Sequence, residues 1–380
     1  MKKNAGRIDW LMLLPILGLM LFSIAIVYSA SATIAQSKFG SSENLVLKHS
    51  IRILAGIIII FIFAKIDYHF WQKYTKFFVV LAVLMLLYVL VSGQTHHGAT
   101  RWIDIGPINF QPSEFAKFAL VMHIAFLLAT KQDKIKDFKE GMLPLLLWSL
   151  AICVLIALQP NYSTAFVIFI ISILLMFIGN VNNGHLSLLA LTGIIGGSIY
   201  AVSAPYRVQR LLSYLGFMHG TVDVDSAPNY QLQQALLGFG NGGFLGVGPG
   251  QSRQSHFFLP ESYGDFIYSI IGEEYGYIGS VVIILIFIII TWRGIKVAKN
   301  APDDFGEFLS FGIIATFAIY GIVNAAVNCG LLPTTGLPMP FVSYGGTAVV
   351  FYAGAFGIML NISAQSGIYP HADNEKPDED

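Results

Sequence analysis

The chain alternates between long apolar runs and short polar connections, with one longer polar stretch past its middle. A transmembrane helix needs roughly 20 apolar residues, and ten runs come near that length. They are approximately 10–31, 47–66, 77–92, 111–130, 142–159, 163–180, 185–203, 266–292, 308–327 and 344–363. The pattern therefore predicts an all-α integral membrane protein with about ten transmembrane helices.

The connections suggest one membrane domain followed by a short tail. We assign residues 1–365 to the membrane domain and expect the polar tail, 366–380, to be disordered in the cytoplasm. The longest connection, 204–264, separates the seventh and eighth runs and predicts a large extracytoplasmic loop. The first run is too long for the apolar core of a signal peptide, so we expect an uncleaved first helix.

Composition supports this class. The chain is 55% hydrophobic and only 12% charged, whereas soluble domains carry about 25% charged residues. The formal net charge is zero, which argues against a nucleic-acid partner. The two cysteines, Cys153 and Cys329, lie in or beside apolar runs and cannot form a disulfide framework.

Basic residues orient the predicted helices, because Lys and Arg concentrate on the cytoplasmic side of a membrane. A cytoplasmic N-terminus places 14 of the 22 basic residues on that side. These are Lys2, Lys3, Arg7, Lys65, Lys73, Lys76, Lys131, Lys134, Lys136, Lys139, Arg293, Lys296, Lys299 and Lys376. An even number of helices then puts both termini in the cytoplasm and the 204–264 loop outside.

Asp265 stands where the 204–264 loop meets the eighth apolar run. A carboxylate at the edge of a bilayer is unfavourable unless it is solvated or paired. Glu261 precedes it by four residues and would share its face if the segment were helical. The residues alone leave two interpretations open: a solvated helix N-terminus, which favours acids, or a functional carboxylate.

Two further charged residues, Glu114 and Lys117, begin the fourth run on the same predicted side. They are three apart, so they are neighbours on a helix. A local ion pair and the lining of a cavity are both consistent with that spacing.

The 204–264 loop contains a glycine-rich stretch, 238–250, in which seven of 13 residues are glycine. Two interpretations are open: its backbone N–H groups bind a phosphate, or the stretch simply forms a flexible re-entrant loop. Arg207 and Arg210 precede it and are suited to anions or to lipid headgroups. A further segment, 330–346, has three prolines and four glycines. Such non-helical backbone near a membrane must line a cavity or pack inside the protein.

Together these segments resemble the SEDS family of bacterial envelope proteins, which includes FtsW and RodA. The resemblance covers approximately residues 9–363 and is specific in the combination and order of its motifs. The motifs are Gly106-Pro107, Gln111-Pro-Ser-Glu114 with Lys117, Gln159-Pro160, Tyr206-Arg207, Gly242-Gly243, Leu259-Pro-Glu261 with Asp265-Phe266, Glu273-Glu274, Gly276 and Phe341-Val-Ser-Tyr-Gly-Gly346. Leu332-Pro-Thr-Thr-Gly336 and Gly248-Pro-Gly-Gln-Ser252 look more like the FtsW branch.

The resemblance implies ten helices and a peptidoglycan glycosyltransferase that polymerises lipid II at the outer face of the bacterial cytoplasmic membrane, in division or elongation. It also implies a class B penicillin-binding protein as partner, and the family's essential aspartate corresponds to Asp265. The chain departs from the family pattern at three positions: Gly264 replaces a common Thr, Asn161 a usual Asp, and Thr100 a frequent Arg.

Glycan extension joins a sugar hydroxyl to an anomeric carbon that leaves a lipid pyrophosphate, so it needs a base and positive charge. Asp265 is the predicted base. The predicted pyrophosphate ligands are Arg207, Arg210 and Arg101. The other predicted substrate-binding residues are Glu261, Glu114, Lys117 and Tyr344. A divalent cation, Mg²⁺ or Mn²⁺, held by Asp265 and Glu261 is a further hypothesis.

Two other classes of function stay open at this point. A lipid II flippase would also have many helices and an intramembrane charge pair, and it would need a polar path to the inner face. A scaffold that only recruits the penicillin-binding protein would tolerate loss of Asp265.

Overall fold

The computed structural model describes residues 7–96, 99–105, 108–202, 208, 212, 214–216 and 227–366. Eleven α-helices occur in these residues. They are α1 (Trp10–Phe39), α2 (Asn44–Lys65), α3 (Tyr68–Ser92), α4 (Pro112–Thr130), α5 (Leu143–Leu158), α6 (Tyr162–Ile178), α7 (Asn183–Val202), α8 (Ala227–Gly242), α9 (Ile267–Lys299), α10 (Asp304–Asn328) and α11 (Ala348–Gln365). A small antiparallel sheet is formed by β1 (Gln94–His96), β2 (Ala99–Ile105) and β3 (Ile108–Phe110).

Eight helical spans within the described residues are long and apolar enough to cross a membrane. The apolar helix α6 is shorter, and α7 coincides with the seventh predicted run. The prediction of a multi-pass, α-helical membrane protein is therefore confirmed, while the count of ten spans stays a prediction. Helices α4, α10 and α11 are mostly buried in the bundle, whereas α2 and α3 expose long apolar faces.

Several helices extend beyond the predicted runs, because polar residues at a helix end do not stop it. Helix α1 continues to Phe39, where Gly40 ends it in the left-handed region with φ 70°. Helix α3 begins at Tyr68, not at residue 77, since the side chain of Asp67 accepts a hydrogen bond from the His69 N–H and caps the first turn.

Hydropathy failed to predict two elements that lie outside the long apolar runs. The sheet fills the connection between α3 and α4, with Gln94 opposite Trp102 and Ile103 opposite Phe110. Helix α8 occupies part of 204–264, so this segment is not a loop throughout. The predicted tail beyond residue 366 lies outside the described residues.

Helix α9 is broken at Gly276, which has φ 65° and ψ −161°. The carbonyls of Glu273 and Glu274 cannot reach the usual helical donors there. They accept instead from the N–H groups of Val247 and Gly248, both at 3.0 Å. In return the Tyr277 N–H donates to the Gly243 carbonyl at 2.9 Å. The glycine-rich segment 242–250 thus completes the backbone hydrogen bonding of the broken helix.

The two carboxylates before the break are buried and held by side chains. Glu273 accepts from the Ser252 hydroxyl, and from the Asn241 amide at 3.2 Å. Glu274 accepts from the hydroxyl of Ser29 on α1. These contacts join α8, the segment after it and α1 to the first turns of α9.

The far end of the bundle is closed by a buried ion pair. Arg293 on α9 donates to the Asp9 carboxylate at 2.5 and 3.0 Å. The Asp9 N–H donates to the Ser363 hydroxyl of α11 at 3.1 Å, so three helices meet at this pair. Since Ile267 begins α9 and Arg293 lies near its C-terminus, Asp265 and Asp9 mark opposite ends of the molecule. We call them the Asp265 end and the Asp9 end.

Candidate functional site

Asp265 is carried on a turn that precedes α9. The carbonyl of Glu261 accepts from the N–H groups of Gly264 and Phe266, at 2.9 and 3.3 Å, and Glu261 itself has φ 57°. Glu261 and Asp265 are therefore on one tight turn and do not share a helical face. A Cβ atom added at Gly264 would lie 3.2 Å from a Glu261 carboxylate oxygen, so the family's common Thr would crowd that carboxylate.

Two asparagines of α10 fix the backbone of Asp265. The side-chain amides of Asn324 and Asn328 both donate to the Asp265 carbonyl, at 2.8 and 3.0 Å. The oxygen of Asn328 accepts from the Ser269 N–H at 3.0 Å, and Asn324 also donates to the Leu337 carbonyl at 2.8 Å. The pair thus ties the turn, the start of α9 and the 330–346 segment to one helix.

The 330–346 segment packs directly on the turn. The hydroxyl of Ser343 donates to the Gly264 carbonyl at 2.7 Å, and the Tyr344 N–H donates to the Tyr263 carbonyl at 2.8 Å. Gly336 has φ 73°, and a Cβ atom there would lie 3.4 Å from Oδ2 of Asp265. Of the two alternatives, lining a cavity or packing inside the protein, these contacts favour packing for the part of the segment near the turn.

The two acids differ in exposure, since Asp265 is half-buried and Glu261 is exposed. No group of three or more His, Cys, Asp or Glu suited to a metal occurs among the described residues. Two carboxylates on one turn nevertheless fit Mg²⁺ or Mn²⁺, because such ions are often held by one or two carboxylates and completed by substrate phosphates. Asp265 and Glu261 are the residues that would hold the ion.

Tyr344, a predicted substrate-binding residue, stands in a cluster of rings. Its ring centroid lies 5.5 Å from that of Tyr263 and 5.7 Å from that of His49. The guanidinium of Arg52 lies 5.0 Å from the same ring centroid. Burial, and then the nearby Glu261 carboxylate, raise the pKa of Tyr263 to about 12, so this phenol stays protonated as a hydrogen-bond donor.

Glu114 and Lys117 form the ion pair that their spacing allows, with 2.8 Å between the ammonium and a carboxylate oxygen. Their side chains are only 6% and 1% exposed. The ammonium also lies 4.1 and 4.5 Å from the ring centroids of Tyr320 and Tyr352. The pair is thus enclosed by α4, α10 and α11 near the Asp265 end.

The predicted pyrophosphate ligands are only partly described. Arg101, on β2, donates to the carbonyls of Gln159 at 3.3 Å and of Pro160, and so fastens the sheet to the turn between α5 and α6. Arg207 and Arg210 lie outside the described residues. In the glycine-rich stretch, the N–H groups of Val247 and Gly248 are bound to α9, which favours an anchoring role over a phosphate cradle.

Sequence reasoning missed Asn324, Asn328 and Arg52 as parts of this region. The asparagines are polar residues four apart inside an apolar run, which places them on one face of a helix. Arg52 is a cation inside another apolar run. These polar residues can be recognised in the sequence, and polar groups inside spans are functional-site candidates, so they could have been included.

The fold and the site define a class of protein: a helical membrane bundle that holds the backbone of a half-buried aspartate at one end. Residues 9–367 match the FtsW/RodA/SpoVE family of cell cycle proteins. Stage V sporulation protein E of Bacillus subtilis is 37% identical over 359 residues, which cover 93% of this chain and 97% of that protein. The probable peptidoglycan glycosyltransferase FtsW of Geobacter sulfurreducens is 35% identical over 365 residues, covering 96% and 97%. The chain belongs to the FtsW/RodA/SpoVE family.

Solved structures show the same fold. A chain from the structure described as "Structural coordination of polymerization and crosslinking by a peptidoglycan synthase complex" aligns with a TM-score of 0.78 at 22% identity, covering 94% of this chain and 98% of that one. The rod shape determining protein RodA of Thermus thermophilus aligns with a TM-score of 0.69 at 20% identity, covering 94% and 96%.

Proposed function

We propose that this protein is a peptidoglycan glycosyltransferase that polymerises lipid II into glycan strands at the outer face of the bacterial cytoplasmic membrane. The observation that carries the proposal is the half-buried Asp265, held by Asn324, Asn328 and Ser343 on a turn at one end of a membrane bundle. The function named for the FtsW relatives supports it.

In this proposal Asp265 is the general base. Its carboxylate takes the proton from the acceptor sugar hydroxyl as that oxygen bonds to the anomeric carbon of the donor. The bond from that carbon to the lipid pyrophosphate breaks, and the pyrophosphate leaves with the electron pair. Because one carboxylate is firmly placed and no covalent partner is assigned, we expect inversion at the anomeric carbon.

Positive charge must stabilise the departing pyrophosphate. Arg207 and Arg210 keep that role as proposed ligands. Arg101 is a weaker candidate, because it already donates to two backbone carbonyls. A divalent cation bound by Asp265 and Glu261 would add positive charge at the leaving group.

The orientation we propose places the Asp265 end outside and both termini in the cytoplasm. In support, Lys65 ends α2 and Lys296 and Lys299 end α9, on the side of the molecule opposite Asp265. We further propose one membrane domain, 1–365, with a class B penicillin-binding protein as partner. The peptidoglycan synthase complex named above supports a crosslinking partner.

The test is polymerisation of labelled lipid II by the purified protein, with and without the partner. Asp265→Asn keeps the shape of the side chain but cannot accept the proton, so the rate should fall by about 10²- to 10⁴-fold. Glu261→Gln should be milder, because Glu261 is exposed. The control is Asp304→Asn, which neutralises an exposed acid in the first turn of α10 at the Asp9 end.

A folded Asp265→Asn protein that polymerises at the wild-type rate would remove Asp265 from the mechanism. A wild-type protein that moves lipid II across vesicles but makes no glycan would instead identify a flippase. Recruitment of the partner without either activity would identify a scaffold.

A further inference from the structure

Arg52 lies well inside a membrane-spanning helix. It is eight residues past Asn44, the first residue of α2, which corresponds to a depth of about 12 Å along the axis. A guanidinium at that depth is unfavourable unless it faces an anion, a polar cavity or an internal partner. The contacts of Arg52 therefore show what the position is suited to bind.

Among the described residues, Arg52 has no carboxylate within ion-pair distance. Its guanidinium carbon lies 5.0 Å from the ring centroid of Tyr344, which is a cation–π contact. The Nη1 atom is buried and has no hydrogen-bond partner among the described residues. Lys117 and Arg293, two other cations in helices of the described residues, each have a carboxylate partner.

His49, one turn earlier on the same face of α2, has a second buried nitrogen that has no hydrogen-bond partner in the part of the chain that the structure describes. Its Nε2 lies 2.9 Å from the hydroxyl oxygen of Ser23, and that hydroxyl donates to the Met20 carbonyl at 2.6 Å. The Ser23 oxygen must therefore accept from an Nε2–H group. This leaves Nδ1 of His49, which is buried and unpartnered, as the position open to a ligand.

Tyr344 connects this pair to the proposed catalytic turn. Its ring packs against both His49 and Arg52, while its N–H donates to the carbonyl of Tyr263, two residues before Asp265. A group bound at Arg52 would therefore lie close to Tyr344, one contact away from the turn that carries Asp265.

We propose that Arg52, assisted by His49, binds a phosphate of the lipid-linked substrate beneath Tyr344. A guanidinium presents its donors in one plane and pairs bidentately with phosphate oxygens. Nδ1 of His49, which is an acceptor when Nε2 carries the proton, is suited to a hydroxyl of the ligand next to that phosphate. The identity of the substrate rests on the proposed function, whereas the phosphate chemistry is shared with bilayer lipid headgroups.

The experiment measures binding, so it does not depend on turnover. Undecaprenyl pyrophosphate is titrated into the purified protein in phosphatidylcholine nanodiscs, and undecaprenol, which lacks the phosphates, is the companion ligand. Arg52→Gln should raise the Kd for undecaprenyl pyrophosphate by about 10- to 100-fold, as expected for loss of hydrogen bonds to a charged group. Arg52→Lys keeps the charge without the planar fork and should raise it less.

Lys48→Gln is the matched control. Lys48 is a cation on the same helix that is exposed and stacks on Phe39 at 5.2 Å from the ring centroid, so its loss should leave the Kd unchanged. Undecaprenol should bind weakly and equally to all variants. If Arg52→Gln fails to fold, the Kd of Arg52→Lys is compared with that of the wild type, and this comparison tests the proposal.

An unchanged Kd in folded Arg52→Gln or Arg52→Lys protein would overturn the proposal. A second assay compares the melting of each variant in phosphatidylglycerol and in phosphatidylcholine nanodiscs. If the Arg52 variants differ from the wild type only in phosphatidylglycerol, the ligand is a bilayer lipid and the proposal is overturned. If the wild type binds undecaprenyl pyrophosphate through Arg52 but makes no glycan, the phosphate site stands and the proposed glycosyltransferase activity falls.

Discussion

The Glu114–Lys117 pair should behave as one energetic unit. The two charges are 2.8 Å apart and almost wholly buried, so neither can be solvated if its partner is removed. Removing one member of a buried pair typically costs about 3–5 kcal/mol, whereas replacing both by apolar groups is close to neutral. We therefore expect the double variant Glu114→Gln with Lys117→Met to be more stable than either single variant.

The two single variants should differ, because the surroundings of the pair favour a cation. The ammonium of Lys117 faces the rings of Tyr320, Tyr352 and Phe118, with centroids 4.1, 4.5 and 5.1 Å away. A desolvated cation–π contact contributes about 2 kcal/mol. Glu114→Gln leaves the ammonium with this compensation, whereas Lys117→Met leaves a buried carboxylate that has lost its ion-pair partner.

The assay is thermal melting of the four proteins in detergent. The expected order of melting midpoints is wild type and double variant highest, Glu114→Gln lower and Lys117→Met lowest. The exposed pair Lys134–Glu140, whose side chains are 65% and 58% exposed, is the control. Its single and double variants should all melt like the wild type, since exposed pairs contribute little to stability.

The reasoning is refuted if the losses of the two single variants simply add in the double variant, because additivity means that the two sites do not interact. It is refuted in part if Glu114→Gln melts below Lys117→Met. That order would show that the aromatic rings do not stabilise the ammonium.

Two further variants test how the site is held. Gly246→Ala should destabilise the protein, because Gly246 has φ 86° and a Cβ atom there would lie 2.2 Å from the Glu274 carbonyl oxygen. The control is Gly240→Ala in α8, where a Cβ atom meets nothing within 4 Å, so this variant should melt like the wild type. Equal melting of the two variants would contradict the anchoring of the glycine-rich segment. Asn324→Ala should lower kcat for lipid II polymerisation with little change in KM, because Asn324 donates to the Asp265 carbonyl. The control Asn361→Ala breaks a similar backbone contact at the Asp9 end and should lower stability alone. An equal loss of kcat in both variants would argue against positioning of Asp265 by Asn324.

Apolar run length predicted the membrane class and the approximate place of nearly every long helix, because burial in lipid is a property of a whole segment. The same signal misplaced helix ends by up to nine residues, as at Tyr68, where the Asp67 cap starts a helix in polar sequence. It also missed α8, whose composition is too polar to resemble a span.

The sequence suggested the acids of the candidate site, but it did not predict the contacts around them. Asp265 and the Glu114–Lys117 spacing were legible in the sequence, whereas the contacts that hold Asp265 come from residues 59 and 63 positions away on another helix. The spacing of Glu261 and Asp265 allowed a helical face that the turn at Glu261 excludes. The spacing of residues in a sequence cannot decide between a helical face and a turn here, because the hydrogen bonds that hold the turn come from residues far away in the chain.

Hydrogen bonds, and not helix continuity, position Asp265 against the bundle. The break at Gly276 disconnects the first turns of α9 from the long helix that follows, so that helix alone cannot place the turn. Two sets of contacts replace it: the glycine-rich segment binds the carbonyls of Glu273 and Glu274, and the asparagines of α10 bind the Asp265 carbonyl. The backbone of Asp265, held in this way, keeps its place as long as α10 and the glycine-rich segment do not move. Structural variation at this site is therefore expected to follow α10 and the 330–346 segment, which Asn324 joins directly.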